Sequence, residues 1–128
     1  MKGVRTLVKR ILAVDDDVAI CELIEVNLEK EGHFVDLATG GGEALTKLKS
    51  EEYDLLILDL GMPGIDGWEV LKEVKANEKT KNLPVIILTG KTEEADMLKG
   101  YEGGAETYLV KPFDPGTLRA VVKDLLKN

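Results

Sequence analysis

One short stretch near the middle of the chain limits the possible folds more than any other feature. Residues 55–58 are four consecutive branched apolar side chains, and Asp59 follows them directly. A continuous apolar run of this kind is typical of a strand covered on both faces, as strands in parallel sheets are. Residues 60–67 contain three glycines and one proline, so the strand ends here in a loop. The stretch therefore predicts an α/β fold with Asp59 at the carboxyl end of a buried strand.

A short apolar run followed by an amphipathic stretch occurs five times along the chain. The apolar runs predict strands at residues 10–14, 33–37, 54–59, 84–89 and 106–110. Apolar side chains at helical spacing follow them, most clearly over residues 115–126. This alternation implies parallel strands, right-handed crossovers and helices on both faces of the sheet. We therefore expect one doubly wound α/β domain with five strands and five helices, comprising residues 1–128 with a core of about 10–126.

Capping residues predict where several of the helices begin. Asp17, Asp66 and Thr92 each precede an amphipathic stretch, and Asp114 is followed by Pro115, which suits the first turn of a helix. Side chains of Asp and Thr accept hydrogen bonds from the unpaired backbone N–H groups of a first turn. Asp17 is therefore interpreted as a cap, which leaves the two acids before it without this explanation.

Composition and charge exclude several classes of protein. The formal net charge of −7 argues against a domain that grips the phosphate backbone of nucleic acids. The single cysteine, Cys21, excludes an internal disulfide and suits a reducing compartment. No apolar run approaches the roughly 18 residues of a membrane-spanning helix, and the start of the chain does not resemble a signal peptide. We therefore expect a cytoplasmic domain that binds neither nucleic acid nor membrane.

Parallel strands all end at the same edge of their sheet, so the residues that follow them are brought together. The first, third, fourth and fifth predicted strands deliver Asp15 with Asp16, Asp59, Thr89 and Lys111 to that edge. Three converging carboxylates repel one another unless a positive charge lies between them. A hard divalent cation such as Mg²⁺ meets this need, and Lys111 supplies a second positive charge. This set of groups indicates phosphoryl transfer, with Asp59 as the attacking carboxylate.

Other interpretations of these residues are weaker. Each of these residues has an ordinary interpretation when it is taken singly: the acids as helix caps, the threonine as a strand end and the lysine as an exposed loop residue. Only their presence together at one edge of the sheet favours phosphoryl transfer. Residues 89–92 resemble the end of a phosphate-binding P-loop, but that motif requires a glycine at the position of Val85. His33, the only histidine, lies at the start of a strand and away from this edge. A histidine-based catalyst is therefore not expected.

Four segments of the sequence together resemble the receiver domain of two-component response regulators. They are residues 12–17 (LAVDDD), 58–67 (LDLGMPGIDG), 88–90 (LTG) and 108–113 (YLVKPF), in the order and spacing of that family. The resemblance extends over nearly the whole chain and implies a flavodoxin-like sheet with strand order 2-1-3-4-5. It implies that Asp59 accepts a phosphoryl group from a phosphohistidine on a sensor histidine kinase or a histidine phosphotransfer protein, with Mg²⁺ as cofactor.

The resemblance also implies roles for the residues around the acceptor. Asp16 would bind Mg²⁺ directly, Asp15 would bind it mainly through water, and the backbone carbonyl of Gly61 would be a further ligand beside Asp59 itself. Thr89 and Lys111 would hold the phosphoryl oxygens. The Lys111–Pro112 peptide bond is similar to one that is cis in this family.

A switching function follows from the same resemblance. Tyr108 would turn inward as Thr89 moves toward the phosphate. This conformational change would reach the surface formed by the fourth predicted helix, the fifth strand and the last helix, residues 92–126. That surface would contact an output domain, a downstream protein or a second copy of the chain. No enzymatic activity is expected beyond the domain's own phosphorylation and dephosphorylation.

Two other functions fit part of the pattern. A receiver-like scaffold would bind partners without phosphorylation, but it would have no reason to keep the acidic pair together with Asp59, Thr89 and Lys111. A Mg²⁺-dependent phosphatase with an aspartyl-phosphate intermediate usually has a second carboxylate two residues after its nucleophile, where this chain has Gly61. Such an enzyme also needs a cap over its substrate, for which this chain has no room. Mg²⁺-dependent phosphorylation would exclude the scaffold, and turnover of a phosphate ester would identify the phosphatase.

Overall fold

The computed structural model describes residues 8–90 and 102–127. In this part of the chain, five strands and four helices follow one another. They are β1 (Arg10–Val14), α1 (Val18–Glu29), β2 (Phe34–Ala38), α2 (Gly41–Ser50), β3 (Leu55–Asp59), α3 (Gly67–Ala76), β4 (Val85–Thr89), β5 (Thr107–Val110) and α4 (Pro115–Leu125). The predicted strands agree with these bounds to within one residue at each end. The fourth predicted helix, which would begin near Thr92, lies outside the described residues.

The five strands form one parallel sheet in the order β2-β1-β3-β4-β5, which confirms the expected topology. The register places Val14 beside Leu58 and Asp59 beside Leu88, so the carboxyl ends of the strands are level with one another. The strand order reverses between β1 and β3. In open α/β sheets, a reversal of this kind leaves a crevice at the carboxyl ends of the two strands. Asp15 and Asp59 are the residues on either side of it.

Side chains alternate between two apolar layers along each central strand, because successive residues of a strand point to opposite faces. In β3, Leu56 and Leu58 pack with α2 and α3, whereas Leu55 and Ile57 pack with α1 and α4. Every residue of β3 and β4 is buried. Burial on both faces explains why these strands are continuous apolar runs in the sequence rather than alternating ones.

Three of the predicted helix caps are confirmed by hydrogen bonds from the first turn of the helix to the capping side chain. The side chain of Asp17 accepts a hydrogen bond from the backbone N–H of Ala19 at 2.9 Å. Asp66 accepts one from Glu69 at 3.0 Å, and Asp114 accepts one from Thr117 at 3.1 Å. These bonds satisfy N–H groups that have no partner within the helix.

The helices are short relative to the thickness of a bilayer. Among residues 8–90 and 102–127, no helix combines the length and the apolar character needed to cross a membrane.

Candidate functional site

The buried polar residues gather at the carboxyl edge of the sheet. Among the described residues, the buried polar or charged residues are Asp15, Asp59 and Thr89, which are 0%, 5% and 4% exposed. Asp15 directly follows β1, Asp59 ends β3 and Thr89 ends β4. The structure thus brings together the groups that the sequence assigned to one edge. Asp16, the neighbouring acid, is exposed beside them.

Lys111 links the two buried carboxylates. Its ammonium nitrogen Nζ lies 2.7 Å from Asp15 Oδ2 and 3.2 Å from Asp59 Oδ1, and its side chain is 23% exposed. The backbone N–H of Lys111 donates a hydrogen bond to the carbonyl oxygen of Thr89 at 2.7 Å, which extends the pairing of β4 and β5 by one residue. The strand pairing therefore holds the lysine where its charge lies between two acids.

Asp15 is held by its backbone as well as by its side chain. Its N–H donates to the carbonyl of Ala38 at 3.1 Å, and its Oδ1 accepts from the N–H of Asp17 at 2.9 Å. The other carboxylate oxygen, Oδ2, is the one that faces the Lys111 ammonium. Asp15 therefore presents a buried, ionised oxygen to the pocket edge, which suits it to bind a cation or a water on that cation.

The charges at this edge shift the proton affinities of the groups that face one another. Burial raises the pKa of the Asp59 carboxyl above its ordinary value, the negative charge of Asp15 raises it further, and Lys111 opposes the rise. Burial alone would lower the pKa of the Lys111 ammonium, but the two carboxylates outweigh that effect and the pKa is raised. Ionised Asp59 is thus held at an energetic cost that further positive charge would reduce.

A metal ion fits the arrangement of the acids. One carboxylate oxygen from each of Asp15, Asp16 and Asp59 lies within 4.8 Å of the other two. All three donors are oxygen atoms, which Mg²⁺ and Ca²⁺ prefer. The predicted further ligand, Gly61, lies next to them, since its N–H is 3.3 Å from Asp59 Oδ1.

An open pocket of about 550 Å³ lies over these groups. Its lining residues are Asp16, Asp17, Asp59, Leu60, Gly61, Trp68, Thr89, Gly90 and Lys111. Trp68 was not predicted from the sequence to belong to the site. Its position in the first turn of α3, directly after the loop that follows Asp59, is the sequence signal that places it there.

Two glycines have a structural role that the sequence did not reveal. An ideal Cβ on Gly67 would lie 2.7 Å from Leu60 Cα and closer still to the carbonyl oxygen of Asp59. An ideal Cβ on Gly41 would lie 2.8 Å from Ile65 Cγ2 and closer still to the carbonyl oxygen of Ile65. The loop after β3 is therefore pressed between the starts of α2 and α3, and no other residue type fits either contact without displacement.

Tyr108 and Cys21, two other residues that the sequence singled out, are buried, and neither lines this pocket. Tyr108 is 9% exposed and packs in the core layer that contains α2 and α3. The Lys111–Pro112 peptide bond is cis, as the sequence resemblance implied. Cys21 is buried, and its thiol donates to the carbonyl of Asp15 at 3.2 Å. Burial, together with the charge of Asp15, raises the pKa of that thiol to about 11, so it is protonated at neutral pH.

The fold and the site together define a doubly wound α/β domain with an acidic, lysine-paired pocket at the switch point of its sheet. The family model of the response regulator receiver domain matches residues 11–123. The chain therefore belongs to the family of response regulator receiver domains. Domains of this family are signalling switches of two-component systems that accept a phosphoryl group on an aspartate and interact with histidine kinases and output domains.

Individual relatives support the same assignment. The transcriptional regulatory protein ResD of Bacillus subtilis is 43% identical over 93% of this chain and 48% of its own length. The regulatory protein PhoP for alkaline phosphatase synthesis in the same organism is 42% identical over 94% of this chain and 49% of its own length. The chain thus spans about half the length of these curated relatives. The chemotaxis response regulator CheY4 of Vibrio cholerae has a similar structure, with a TM-score of 0.88 and 34% identity over 92% of this chain and 98% of that one.

Proposed function

We propose that Asp59 is the phosphoryl acceptor and that the donor is a phosphohistidine on a sensor histidine kinase or a histidine phosphotransfer protein. The observation that carries the proposal is the position of Lys111 Nζ, 3.2 Å from Asp59 and 2.7 Å from Asp15, below an open pocket. A buried carboxylate that reaches solvent through such a pocket can attack an incoming group from one side only. Asp59 is that carboxylate.

Asp15, Asp16, Asp59 and the carbonyl of Gly61 are the proposed ligands of Mg²⁺, whose bound charge would neutralise the oxygens of the phosphoryl group. A carboxylate oxygen of Asp59 attacks phosphorus in line with the leaving group. Lys111 and the hydroxyl of Thr89 hold the phosphoryl oxygens as negative charge accumulates on them. Burial and the charge of Asp15 raise the pKa of Asp59, and a bound cation would favour the ionised carboxylate that the attack requires.

The proposed output of phosphorylation is a change at the surface formed by residues 92–126. New phosphoryl oxygens would draw Thr89 and Lys111 toward Asp59, and Tyr108 would follow Thr89 as the aromatic switch. We propose that this surface controls an output domain, a downstream protein or a phosphorylation-dependent homodimer in the cytoplasm. The domain, with its core at about 10–126, would catalyse only its own phosphorylation and dephosphorylation and would not itself bind nucleic acid.

The test is intact mass after incubation with acetyl phosphate, with and without Mg²⁺. We expect a Mg²⁺-dependent gain of one phosphoryl group that is lost in Asp59→Asn. The matched control is Asp66→Asn in the same loop, where asparagine caps α3 as well as aspartate does and the label is retained. Absence of label in the wild type would favour the scaffold function, and rapid turnover of a small phosphate ester would favour the phosphatase.

A further inference from the structure

Trp68 gives the phosphorylation pocket an aromatic wall. Among the described residues, it is the aromatic side chain that lines the pocket, and Asp16, Asp17 and Asp59 line it too. Trp68 is partly buried, and it packs against the core layer that contains α2 and α3. Its backbone is fixed by the preceding residue, since the N–H of Gly67 donates to the carbonyl of Leu60 at 3.4 Å and Gly67 lies against Asp59. Trp68 and the acceptor Asp59 therefore line the same pocket.

Phosphodonors differ in the group that they release. In the reactive form of a phosphoimidazole, the ring nitrogen that carries no phosphorus is protonated, so the leaving ring is both aromatic and cationic. An acyl phosphate such as acetyl phosphate has neither property. Cationic groups are attracted to indole faces and to carboxylates, and aromatic rings also stack on indole. A pocket with a tryptophan in its lining is thus better suited to the first kind of donor than to the second.

We infer that Trp68 determines donor specificity, favouring phosphodonors with a cationic aromatic leaving group over acyl phosphates. This inference rests on the proposed function of Asp59 as acceptor. In the step itself, an Asp59 oxygen forms a bond to phosphorus while the bond from phosphorus to nitrogen breaks. The nitrogen keeps the electron pair of that bond, and because the other ring nitrogen already carries a proton, the ring leaves as neutral imidazole. Trp68 acts by binding the ring and takes no part in the transfer of electrons or protons.

The experiment compares monophosphoimidazole with acetyl phosphate in the presence of Mg²⁺, using intact mass to obtain the second-order rate constant for each donor. The quantity of interest is the ratio of the two rate constants. In Trp68→Leu we expect this ratio to fall about two- to fivefold, the effect of losing one partly exposed cation–π contact. Trp68→Phe keeps an aromatic face and should retain most of the ratio. Tyr53→Leu is the control, since Tyr53 packs against the same core layer but lines a different pocket.

Each result decides the question. The acetyl phosphate rate of every variant shows whether its pocket is intact, so a general structural defect lowers both rates and leaves the ratio unchanged. The inference would be overturned if the ratio of rate constants did not change in Trp68→Leu. It would also be overturned if the ratio fell in Trp68→Phe and Tyr53→Leu as much as in Trp68→Leu. Either result would leave Asp59 as the acceptor. Failure of the wild type to accept a phosphoryl group from either donor would instead overturn the proposed function.

Discussion

The contact between Gly67 and the acceptor strand leads to a prediction about both stability and activity. In Gly67→Ala, the new methyl group would lie 2.7 Å from Leu60 Cα and nearer still to the carbonyl oxygen of Asp59. Both are backbone atoms of the loop that begins at the acceptor, so neither can rotate away as a flexible side chain would. Either α3 must move outward or the end of β3 must shift.

The change in the free energy of unfolding follows from two opposing contributions, the cost of overpacking and the higher helix propensity of alanine. Forcing one extra methyl group into a packed site costs about 1–3 kcal/mol. Alanine is a better helix former than glycine by up to about 1 kcal/mol, and less in a first turn such as this. We therefore expect Gly67→Ala to lower the free energy of unfolding by about 1–2 kcal/mol. Because displacement of a reacting group by even part of an ångström slows chemistry, Mg²⁺-dependent phosphorylation should also fall at least severalfold.

Urea denaturation followed by circular dichroism measures the first effect, and intact mass with acetyl phosphate measures the second. The matched control is Gly42→Ala, in the first turn of α2, where an added Cβ meets nothing within 4 Å. That variant should be as stable as the wild type or more stable by up to about 1 kcal/mol, with normal phosphorylation. A Gly67→Ala protein with wild-type stability and wild-type phosphorylation would refute the reasoning.

Three further predictions concern the charges of the site. Asp59→Asn should stabilise the metal-free protein at neutral pH, because a carboxyl whose pKa is raised by folding destabilises the fold when it is ionised. This gain in stability should shrink as the pH falls toward the pKa of Asp59 in the unfolded chain. Below that pH, the carboxyl is protonated in both the folded and the unfolded protein. Lys111→Met should lower the free energy of unfolding by about 2–3 kcal/mol, because it leaves two buried carboxylates unpaired, and Mg²⁺ should restore part of the loss. Cys21, whose pKa is raised to about 11, should react with thiol reagents at pH 8 on the order of a hundredfold more slowly in native than in unfolded protein.

Controls for these three experiments come from the same chain. Asp66→Asn should change stability little at any pH, because the asparagine side chain also caps α3. Lys123→Met alters an exposed lysine on α4 and should leave stability within about 0.5 kcal/mol of the wild type. The interpretation of the site would be wrong if Asp59→Asn destabilised the metal-free protein at neutral pH, or if Lys111→Met behaved like Lys123→Met. Equal reactivity of Cys21 before and after unfolding would contradict its burial beside Asp15.

Much of the fold follows from the sequence because it depends on local pattern. The apolar runs that end at Val14, Asp59 and Thr89 identify strands, since a strand buried on both faces needs apolar side chains at every position. Asp17 and Asp114 identify helix starts, since a first turn has N–H groups that only a nearby acceptor satisfies. Parallel strands end at one edge, so the meeting of the site residues follows as soon as the strands are known. The strand order itself came from the family resemblance and not from these patterns.

Tertiary structure decided how the residues at that edge differ from one another. In the sequence, Asp15 and Asp16 are equivalent neighbours; in the structure the first is fully buried and paired with Lys111, whereas the second is exposed at the mouth of the pocket. The approach of Gly67 to Asp59 was equally absent from the sequence pattern, and the place of Trp68 in the pocket wall was not predicted from it. These features depend on how closely a helix packs against the end of a strand. That distance is set by the fit of the whole core, which no local spacing of residues encodes.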